Sequence, residues 1–223
     1  NTSVIIDNGD FDEYKDKITS GLCTEKWSNN TMWFSDVNSS HESFIAAMFV
    51  GYYGIFDGYS DGSFKPDKTI NRAETAKVVL AGFGYDVIEP SPNSNAGFWD
   101  VDPNAWYMPY VYTSNLYGIM SGNDNGSMSP GDTVNRAELL RIFLESAKAN
   151  VTECTTSPYP NVAVKSWYCK YAKFAKGQEL LTESPDGNFY PDAAMTRADV
   201  AHLFYSYNKA WCASIFELIQ GNN

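Results

Sequence analysis

The fold is decided by the stretch Gly58-Tyr59-Ser60-Asp61-Gly62-Ser63-Phe64-Lys65-Pro66, which leads into Ile70-Asn71-Arg72-Ala73-Glu74. The second copy of this stretch reads Gly122-Asn123-Asp124-Asn125-Gly126-Ser127-Met128-Ser129-Pro130, followed by Val134-Asn135-Arg136-Ala137-Glu138. The third copy reads Ser184-Pro185-Asp186-Gly187-Asn188-Phe189-Tyr190-Pro191, followed by Met195-Thr196-Arg197-Ala198-Asp199. In each copy the Pro stands six residues before the Arg, and a Gly stands four residues before the Pro.

The spacing of these copies predicts the architecture. Arg72, Arg136 and Arg197 are 64 and 61 residues apart, within a chain of 223 residues. Self-similarity at a fixed period is typical of repeat proteins, in which one unit cannot bury its apolar face alone. We therefore expect three units of about 60 residues each that share a core.

Composition excludes several classes of protein. The net charge is −11 and no run of basic residues occurs, which argues against a nucleic-acid binder. No apolar run reaches the length of about 18 residues that a membrane-spanning helix needs. The 43% hydrophobic content is that of a folded globular chain.

The four cysteines, Cys23, Cys154, Cys169 and Cys212, indicate disulfides rather than a metal site. They form no Cys-x-x-Cys pair and no Cys/His cluster, so we predict neither zinc nor another cofactor. Among three possible connectivities we favour Cys154–Cys169, which closes a local loop, with Cys23–Cys212 joining the two ends. Buried free thiols are the alternative. Disulfides would indicate an oxidising, extracellular compartment.

Each repeat is predicted to contain two helices. The first helices are expected at residues 41–53, 107–117 and 167–176, and a Gly-rich loop and a short extended segment with the Pro follow each of them. The second helices start at the three arginines. Asn71 with Glu74 and Asn135 with Glu138 have the spacing of capping boxes, and Thr196 with Asp199 comes close to it.

These motifs identify a family. The sequence resembles the S-layer homology family, whose repeat has an opening Phe-x-Asp-Val, a Gly-Ile-x-x-Gly loop, an Asp-Gly-x-Phe-x-Pro segment and a helix start similar to Thr-Arg-Ala-Glu. The first copy reads Phe34-Ser35-Asp36-Val37, Gly54-Ile55-Phe56-Asp57-Gly58, Asp61-Gly62-Ser63-Phe64-Lys65-Pro66 and Asn71-Arg72-Ala73-Glu74. The second opens at Phe98-Trp99-Asp100-Val101 and has the loop Gly118-Ile119-Met120-Ser121-Gly122.

The resemblance implies a mainly α fold. Its three tandem repeats would form a pseudo-threefold, three-pronged arrangement around a central helix bundle. It also implies a secreted, non-enzymatic cell-surface protein that binds cell-wall polysaccharide non-covalently, in this family through a pyruvylated amino sugar. We expect an N-terminal extension with a short strand at 1–33, repeats at 34–88, 98–149 and 159–211, and a C-terminal tail at 212–223.

The third repeat departs from the family pattern. It opens at Tyr159-Pro160-Asn161-Val162, without the usual Asp, and has Glu179-Leu180-Leu181-Thr182-Glu183 in place of Gly-Ile-x-x-Gly. In the first repeat Glu42 stands where Trp106 and Trp167 stand in the others. The third repeat therefore lacks the loop on which a site of the family type would be built.

Arg72, Arg136 and Arg197 are the predicted anion-binding residues. A cation in the first turn of a helix opposes the helix dipole, so helix propensity does not explain it. A helix N-terminus offers backbone N–H groups to an anion, and a guanidinium pairs with a carboxylate bidentately, which would suit a pyruvyl ketal. The structural alternative is that each Arg pairs with an acid such as Asp36, Asp100 or Glu74.

Other residues are secondary candidates for the carbohydrate site. Gly58, Gly62, Gly122 and Gly126 would supply turns with positive φ and allow a sugar to approach, although turn geometry alone would also explain them. Trp99, Trp106 and Trp167 would stack on sugar faces or else pack in the core. Lys65 and Lys68 would assist an anion or simply be solvated.

The sequence gives little support for a calcium site or for a catalytic function. An EF-hand register from Asp57 would need Glu at its twelfth position, where Lys68 stands. The two histidines, His41 and His202, lie in predicted helices, and no nucleophile elbow is visible. Five triplets match the acceptor pattern for N-glycosylation and begin at Asn1, Asn29, Asn38, Asn125 and Asn150.

An alternative function is a self-assembling structural subunit of an extracellular layer or filament, in which identical subunits are the partners. The β-prone residues 2–6 would add to a neighbour's sheet edge, and the apolar residues 215–219 would fill a neighbour's groove. The two functions are compatible. An enzyme such as a wall hydrolase is the least supported reading.

Overall fold

A computed structural model describes the backbone of residues 34–221 and the side chains of residues 34–213. The described residues form six α-helices, two for each repeat. They are α1 (Phe44–Tyr52), α2 (Arg72–Gly82), α3 (Met108–Leu116), α4 (Arg136–Ser146), α5 (Cys169–Gly177) and α6 (Arg197–Gly221). The mainly α class is confirmed. Within these residues β-structure is limited to isolated bridges, and the predicted strand at residues 2–6 lies outside them.

The first helix of each repeat ends in a left-handed residue two positions beyond its last helical residue. That residue is Gly54 at φ 65° after α1, Gly118 at φ 69° after α3 and Glu179 at φ 53° after α5. The next residue then donates its N–H back into the helix in every repeat, as Ile55 does to the carbonyl of Val50 at 2.8 Å. The first Gly of Gly-Ile-x-x-Gly is thus a helix terminator, where glycine is favoured because it has no Cβ.

The second helix of the first two repeats begins as predicted. The side chain of Asn71 accepts the N–H of Glu74 and the Glu74 side chain accepts the N–H of Asn71, which completes a capping box on α2. Asn135 and Glu138 form the same box on α4. Helix α6 starts at Arg197 and continues without a break through residues 212–221, which the sequence analysis separated as a tail.

The described residues divide into two compact units. Unit 1 comprises residues 34–66, 150–189 and 198–221, and unit 2 comprises residues 67–149 and 190–197. In unit 2, α2 packs against α3 and α4. Phe83 meets Phe143 edge-on at 4.9 Å, and the Tyr85 hydroxyl donates to the carbonyl of Ser146 at 2.8 Å. Burial of such apolar side chains supplies the main stabilisation.

The segments that precede the three second helices are hydrogen-bonded in a closed cycle within unit 2. The antiparallel bridges join Thr69 with Thr196, Asn71 with Thr133 and Asn135 with Ala194. Each segment therefore contacts the other two. The predicted three-pronged, pseudo-threefold arrangement of the whole chain remains a prediction, as do the predicted domain boundaries.

Unit 1 contains α1, α5 and α6. Phe49 of α1 meets Tyr205 of α6 edge-on at 5.7 Å. A disulfide joins Cys154, in the segment before the third repeat, to the fully buried Cys169 at the start of α5. The other predicted pair, Cys23–Cys212, involves a cysteine outside the described residues.

Candidate functional site

The guanidinium of Arg72, on the first turn of α2, is held by two backbone carbonyls of the second repeat. Its Nε donates to the carbonyl of Met128 at 2.7 Å, and its Nη2 donates to the carbonyl of Ser121 at 2.9 Å. A guanidinium has five N–H donors in a rigid plane. These two bonds involve Nε and Nη2, and Nη2 also lies 3.7 Å from the sulfur of Met128, whereas Nη1 makes no hydrogen bond within the described residues.

The loop that supplies these carbonyls, residues 118–130, is itself fixed by side chains. The carboxylate of Asp100 accepts the N–H of Met128 and the N–H of Ser129, both at 2.7 Å. The side chain of Asn125 accepts the N–H of Ser127 at 3.0 Å and closes a local turn. Charge-assisted bonds of the Asp100 type are among the stronger ones in proteins, so the carbonyl of Met128 is held in place for Arg72.

Charges of both signs surround Arg72. Partial burial lowers the pKa of its guanidinium, Glu138, Asp132 and Asp100 act to raise that pKa, and the nearby cation Arg141 lowers it. An arginine remains charged at neutral pH despite such shifts. The site therefore presents a fixed positive fork among carboxylates, an arrangement that suits a ligand carrying both a carboxylate and hydroxyl groups.

The start of α2 does not offer free backbone N–H groups to an anion. The N–H of Arg72 donates to the carbonyl of Asp132, and the N–H of Ala73 donates to the carbonyl of Pro130. The N–H of Glu74 donates to the side chain of its cap. The prediction of an anion receptor built from a helix N-terminus was therefore wrong, because the neighbouring repeat and the cap use these donors.

The same backbone pattern occurs at the other two arginines. The N–H groups of Arg136 and Ala137 donate to the carbonyls of Ala193 and Pro191 within unit 2. The N–H of Arg197 donates to the carbonyl of Lys68, also in unit 2. The side chains differ in access, since Arg72 and Arg136 are partly exposed whereas Arg197 is 6% exposed.

The residue before each of these prolines has an unusual backbone conformation. Lys65, Ser129 and Tyr190 have φ angles of 56°, 50° and 51°. Left-handed conformations are uncommon for residues with a side chain, and such strain persists only where the surroundings enforce it. Here it turns the chain so that the carbonyls of the prolines receive N–H groups from the second helices, as Pro130 does from Ala73.

The predicted glycines fall into two groups. Gly62 and Gly126 have positive φ angles of 77° and 80°, in agreement with their predicted turns. Gly58 and Gly122 do not, and for them that reason was wrong. A Cβ on Gly122 would lie 2.4 Å from a ring carbon of Phe98, and one on Gly58 would lie 3.0 Å from Phe34. These two glycines are needed because an aromatic ring packs against the backbone.

The predicted tryptophans lie on the surface. Trp99, Trp106 and Trp167 are 69%, 57% and 53% exposed, which overturns core packing as the alternative. Trp106 contacts the ring of Tyr107 edge-on at 5.6 Å, and Trp167 contacts Tyr168 in the same way at 5.5 Å. Exposed indoles of this kind provide flat apolar faces.

Lys65 is engaged at the surface of unit 1. Its ammonium lies 3.5 Å from the carboxylate of Asp61 and 4.1 Å from the centre of the Tyr59 ring. Its backbone N–H donates to Asp36 at 2.8 Å. In unit 2, Lys68 binds the carboxylate of Glu74 at 3.0 Å.

In the third repeat, other residues make part of the same hydrogen bonds between the opening motif and the loop. Asn161 stands where Asp36 and Asp100 stand and accepts the N–H of Phe189 at 2.9 Å. Beside it in unit 1 lies an open depression of about 440 Å³, lined by Tyr159, Lys176, Glu179, Leu181 and Glu183. The ammonium of Lys176 is 3.3 Å from Glu183 and donates to the carbonyl of Pro158, so this cation already has partners.

Sequence reasoning missed the groups that hold Arg72. The carbonyls of Ser121 and Met128 are backbone atoms of another repeat, and no residue type marks them. The Asp of Phe-x-Asp-Val forms the clamp on the loop, whereas the sequence had suggested Asp36 and Asp100 as partners of the arginines. The acids offered as partners of the arginines serve elsewhere, since Asp100 binds backbone N–H groups and Glu74 binds its own cap and Lys68.

The six described helices lie within residues 34–221. None of the helices in this part of the chain is long and apolar enough to cross a membrane. Within the same residues, no group of three or more His, Cys, Asp or Glu side chains is arranged to hold a metal ion.

Three segments of the chain match a known domain family. Residues 34–76, 97–140 and 163–201 each match the model of the S-layer homology domain. The chain is 31% identical over 171 residues to the cellulosome-anchoring protein of Acetivibrio thermocellus, a match covering 71% of this chain and 38% of that protein.

Two further relatives are much longer proteins. The chain is 27% identical over 155 residues to the surface-layer 125 kDa protein of Lysinibacillus sphaericus, covering 68% of this chain and 13% of that protein. It is 28% identical over 141 residues to cell surface glycoprotein 1 of Acetivibrio thermocellus, covering 60% of this chain and 6% of that protein. The chain thus spans a minor part of each of these three relatives.

Proposed function

The chain belongs to the S-layer homology domain family, and from that premise we propose that it binds a pyruvylated amino sugar of the cell-wall polysaccharide through Arg72. In this role the chain is a non-catalytic, cell-wall-anchoring surface protein. The relatives include a protein named for anchoring and a surface-layer protein, which supports this role.

The observation that carries the proposal is the fixed guanidinium of Arg72. Its bonds to the carbonyls of Met128 and Ser121 hold one side of the fork, while the Nη1 end makes no hydrogen bond within the described residues. A fork that is already immobilised loses little conformational entropy when a carboxylate binds, which favours affinity. The carboxylate of a pyruvyl ketal has the charge and the planar geometry for a bidentate pair with this end.

The acids near Arg72 complement the rest of such a ligand. Asp132 and Glu138 are close enough to influence the pKa of Arg72. These carboxylates weaken the attraction of Arg72 for an anion by charge alone. They also accept hydrogen bonds from sugar hydroxyls, so the cluster favours a ligand that has a sugar ring. Binding would therefore depend on direct contacts with one residue of the polymer more than on a long-range positive field.

The three arginines are not equivalent in this proposal. Arg72 is the principal ligand-binding residue, and the partly exposed Arg136 is the second candidate. Arg197 is assigned a structural role because only 6% of it is exposed. The exposed Trp106 and Trp167 are proposed as stacking surfaces for further sugars, with Gly122 and Gly126 as parts of the loop that holds Arg72.

Co-sedimentation with purified cell wall tests the proposal. The chain should sediment with wall that carries pyruvyl ketals, and mild acid removal of the ketals should release most of it, because the carboxylate is lost while the polymer stays. Wall treated in parallel at neutral pH is the control. Equal sedimentation with both walls would contradict the assignment of the pyruvyl group as the recognised element.

The predicted alternative of a self-assembling subunit has no supporting contact in the described residues. Its proposed strand at 2–6 lies outside them, and side chains at 215–219 are not described. It remains a prediction.

A further inference from the structure

Three of the five glycosylation acceptor triplets lie in the described part of the chain, and one of these, at Asn125, belongs to the loop that holds Arg72. They begin at Asn38, Asn125 and Asn150. Transfer of a glycan requires that an enzyme reach the carboxamide of the Asn and the hydroxyl of the residue two positions later. The accessibility of both groups therefore decides which triplet a folded chain can offer.

The side-chain groups of the triplet at Asn125 are not accessible to an enzyme in the folded chain. The side chain of Asn125 accepts the N–H of Ser127 at 3.0 Å and its hydroxyl at 2.8 Å. Ser127 is 3% exposed, and its hydroxyl also accepts a bond from Asn123. An enzyme could engage this hydroxyl only after the loop that holds Arg72 had opened.

The triplet at Asn38 is exposed but internally bonded. The side chain of Asn38 accepts the N–H of Ser40 at 3.0 Å and its hydroxyl at 2.6 Å. Its backbone carbonyl accepts the N–H of His41 at 2.9 Å, in the turn before α1. These bonds must break before an enzyme can engage the triplet, and breaking them without replacement penalises its binding to an enzyme.

The triplet Asn150-Val151-Thr152 differs from both of the others in its side-chain hydrogen bonding. Residues 150–155 have no regular secondary structure, and Asn150 and Thr152 are exposed. Neither side chain makes a hydrogen bond within the described residues. The segment becomes anchored only beyond the triplet, where Cys154 forms its disulfide with Cys169 and Lys173 donates to the carbonyl of Glu153 at 3.2 Å.

We propose that Asn150 is an N-glycosylation site, and that it is the preferred acceptor in the folded chain among the three described triplets. In the reaction, Nδ2 of Asn150 forms a bond to the anomeric carbon of a lipid-pyrophosphate-linked oligosaccharide. The bond between that carbon and the phosphate oxygen breaks, the lipid pyrophosphate leaves with the electron pair, and a proton from Nδ2 passes to a base of the transferase. The hydroxyl of Thr152 is the group that the transferase recognises.

The test uses the full-length, oxidised chain with a purified oligosaccharyltransferase that requires only Asn-x-Ser/Thr and a lipid-linked oligosaccharide. Of the three described triplets, the one on the tryptic peptide of residues 149–165 should acquire a glycan first, which mass spectrometry of the peptides shows. Asn150→Gln and Thr152→Val should each abolish this product, whereas Thr152→Ser should retain it. Asn38→Gln is the matched control and should leave the rate at Asn150 unchanged.

Unfolding the chain by reduction and urea before a brief reaction should add modification at Asn125, because burial of Ser127 is what protects it. The proposal is overturned if the folded chain acquires no glycan on the 149–165 peptide, or if Asn38 or Asn125 is modified before Asn150. The site does not involve Arg72, so failure of this test leaves the anchoring proposal untouched.

Discussion

The Nε of Arg72 donates a 2.7 Å hydrogen bond to the carbonyl of Met128, a residue of the next repeat. This bond explains a charge that helix electrostatics would disfavour in the first turn of α2. The gain comes from a contact between repeats, which also orients the guanidinium. In this position one residue serves both the packing of unit 2 and the proposed recognition of a carboxylate.

The close packing of Phe98 on the backbone at Gly122 predicts a large effect of a small substitution. A Cβ at Gly122 would lie 2.4 Å from a Phe98 ring carbon and 2.7 Å from the carbonyl of Ser127. Gly122→Ala should therefore lower the free energy of unfolding by roughly 1–3 kcal/mol, the usual cost of overpacking. Urea denaturation measures this change.

Gly131→Ala is the matched control for that substitution. No atom lies within 4 Å of its added Cβ, and the residue does not have positive φ. The control should stay within about 0.5 kcal/mol of the unchanged chain. Equal stability of the two variants would show that Phe98 does not pack on the backbone as described.

The left-handed backbone conformation of Glu179 predicts that a substitution there can stabilise the third repeat. Glu179 has φ 53° at the position where the other repeats have glycine, and its side chain is exposed. Glu179→Gly should raise the free energy of unfolding by roughly 1 kcal/mol, because glycine adopts this conformation without a Cβ penalty. Thermal unfolding followed by circular dichroism is the measurement.

The reciprocal change provides the control. Gly118→Ala adds a Cβ with free space around it, but at φ 69°. It should destabilise the chain by a similar amount, since strain acts without a clash. A lower melting temperature for Glu179→Gly would contradict this account of the third loop.

His202 predicts a pH dependence of stability. Burial lowers the pKa of His202 below the ordinary value of 6.5, and its Nε2 lies 3.2 Å from the hydroxyl of Ser43. The unfolded chain then binds the proton at higher pH than the folded chain, so stability should fall as pH drops from about 6.5 toward the folded-state pKa. His202→Gln should remove this part of the pH dependence.

Denaturation in urea at pH 7.5 and 5.5 isolates the effect, because other titrating groups remain in both proteins. His41→Gln keeps His202 and should retain most of the difference between the two pH values, because the charge of His41 has the smallest of the influences on the pKa of His202. If His202→Gln loses as much stability on acidification as the unchanged chain, His202 is not the group responsible.

The parts of the fold that sequence predicted are those set by local chemistry. Asn71 with Glu74 specifies a helix start within four residues, and the Gly-rich loop from Gly54 marked the approximate end of the first helix, so both were predicted without a structure. Glu179 shows the limit of that reasoning, since the backbone at this position is kept although the residue that favours it is absent.

The candidate site was only partly predictable, because its decisive contacts join different repeats through backbone atoms. The carbonyls of Pro130 and Asp132 take the N–H groups at the start of α2, and the carbonyl of Met128 takes the Arg72 side chain. Every residue has a backbone carbonyl, so the sequence does not indicate which carbonyls accept these bonds. Arg72 was therefore identified from its residue type, while the reason for its orientation, and the loss of the helix N-terminus as an anion receptor, came from the structure.

The most direct test of the central claim is a calorimetric comparison of two ligands and two proteins. A pyruvylated wall fragment and its depyruvylated counterpart are titrated into the unchanged chain and into Arg72→Gln, with Lys209→Gln as a variant that removes one surface charge elsewhere. We predict that the unchanged chain and Lys209→Gln bind the pyruvylated fragment at least about tenfold more tightly, or 1.4 kcal/mol. Folded Arg72→Gln should bind both fragments with the same weak affinity. A preserved preference for the pyruvylated fragment in Arg72→Gln would contradict the account.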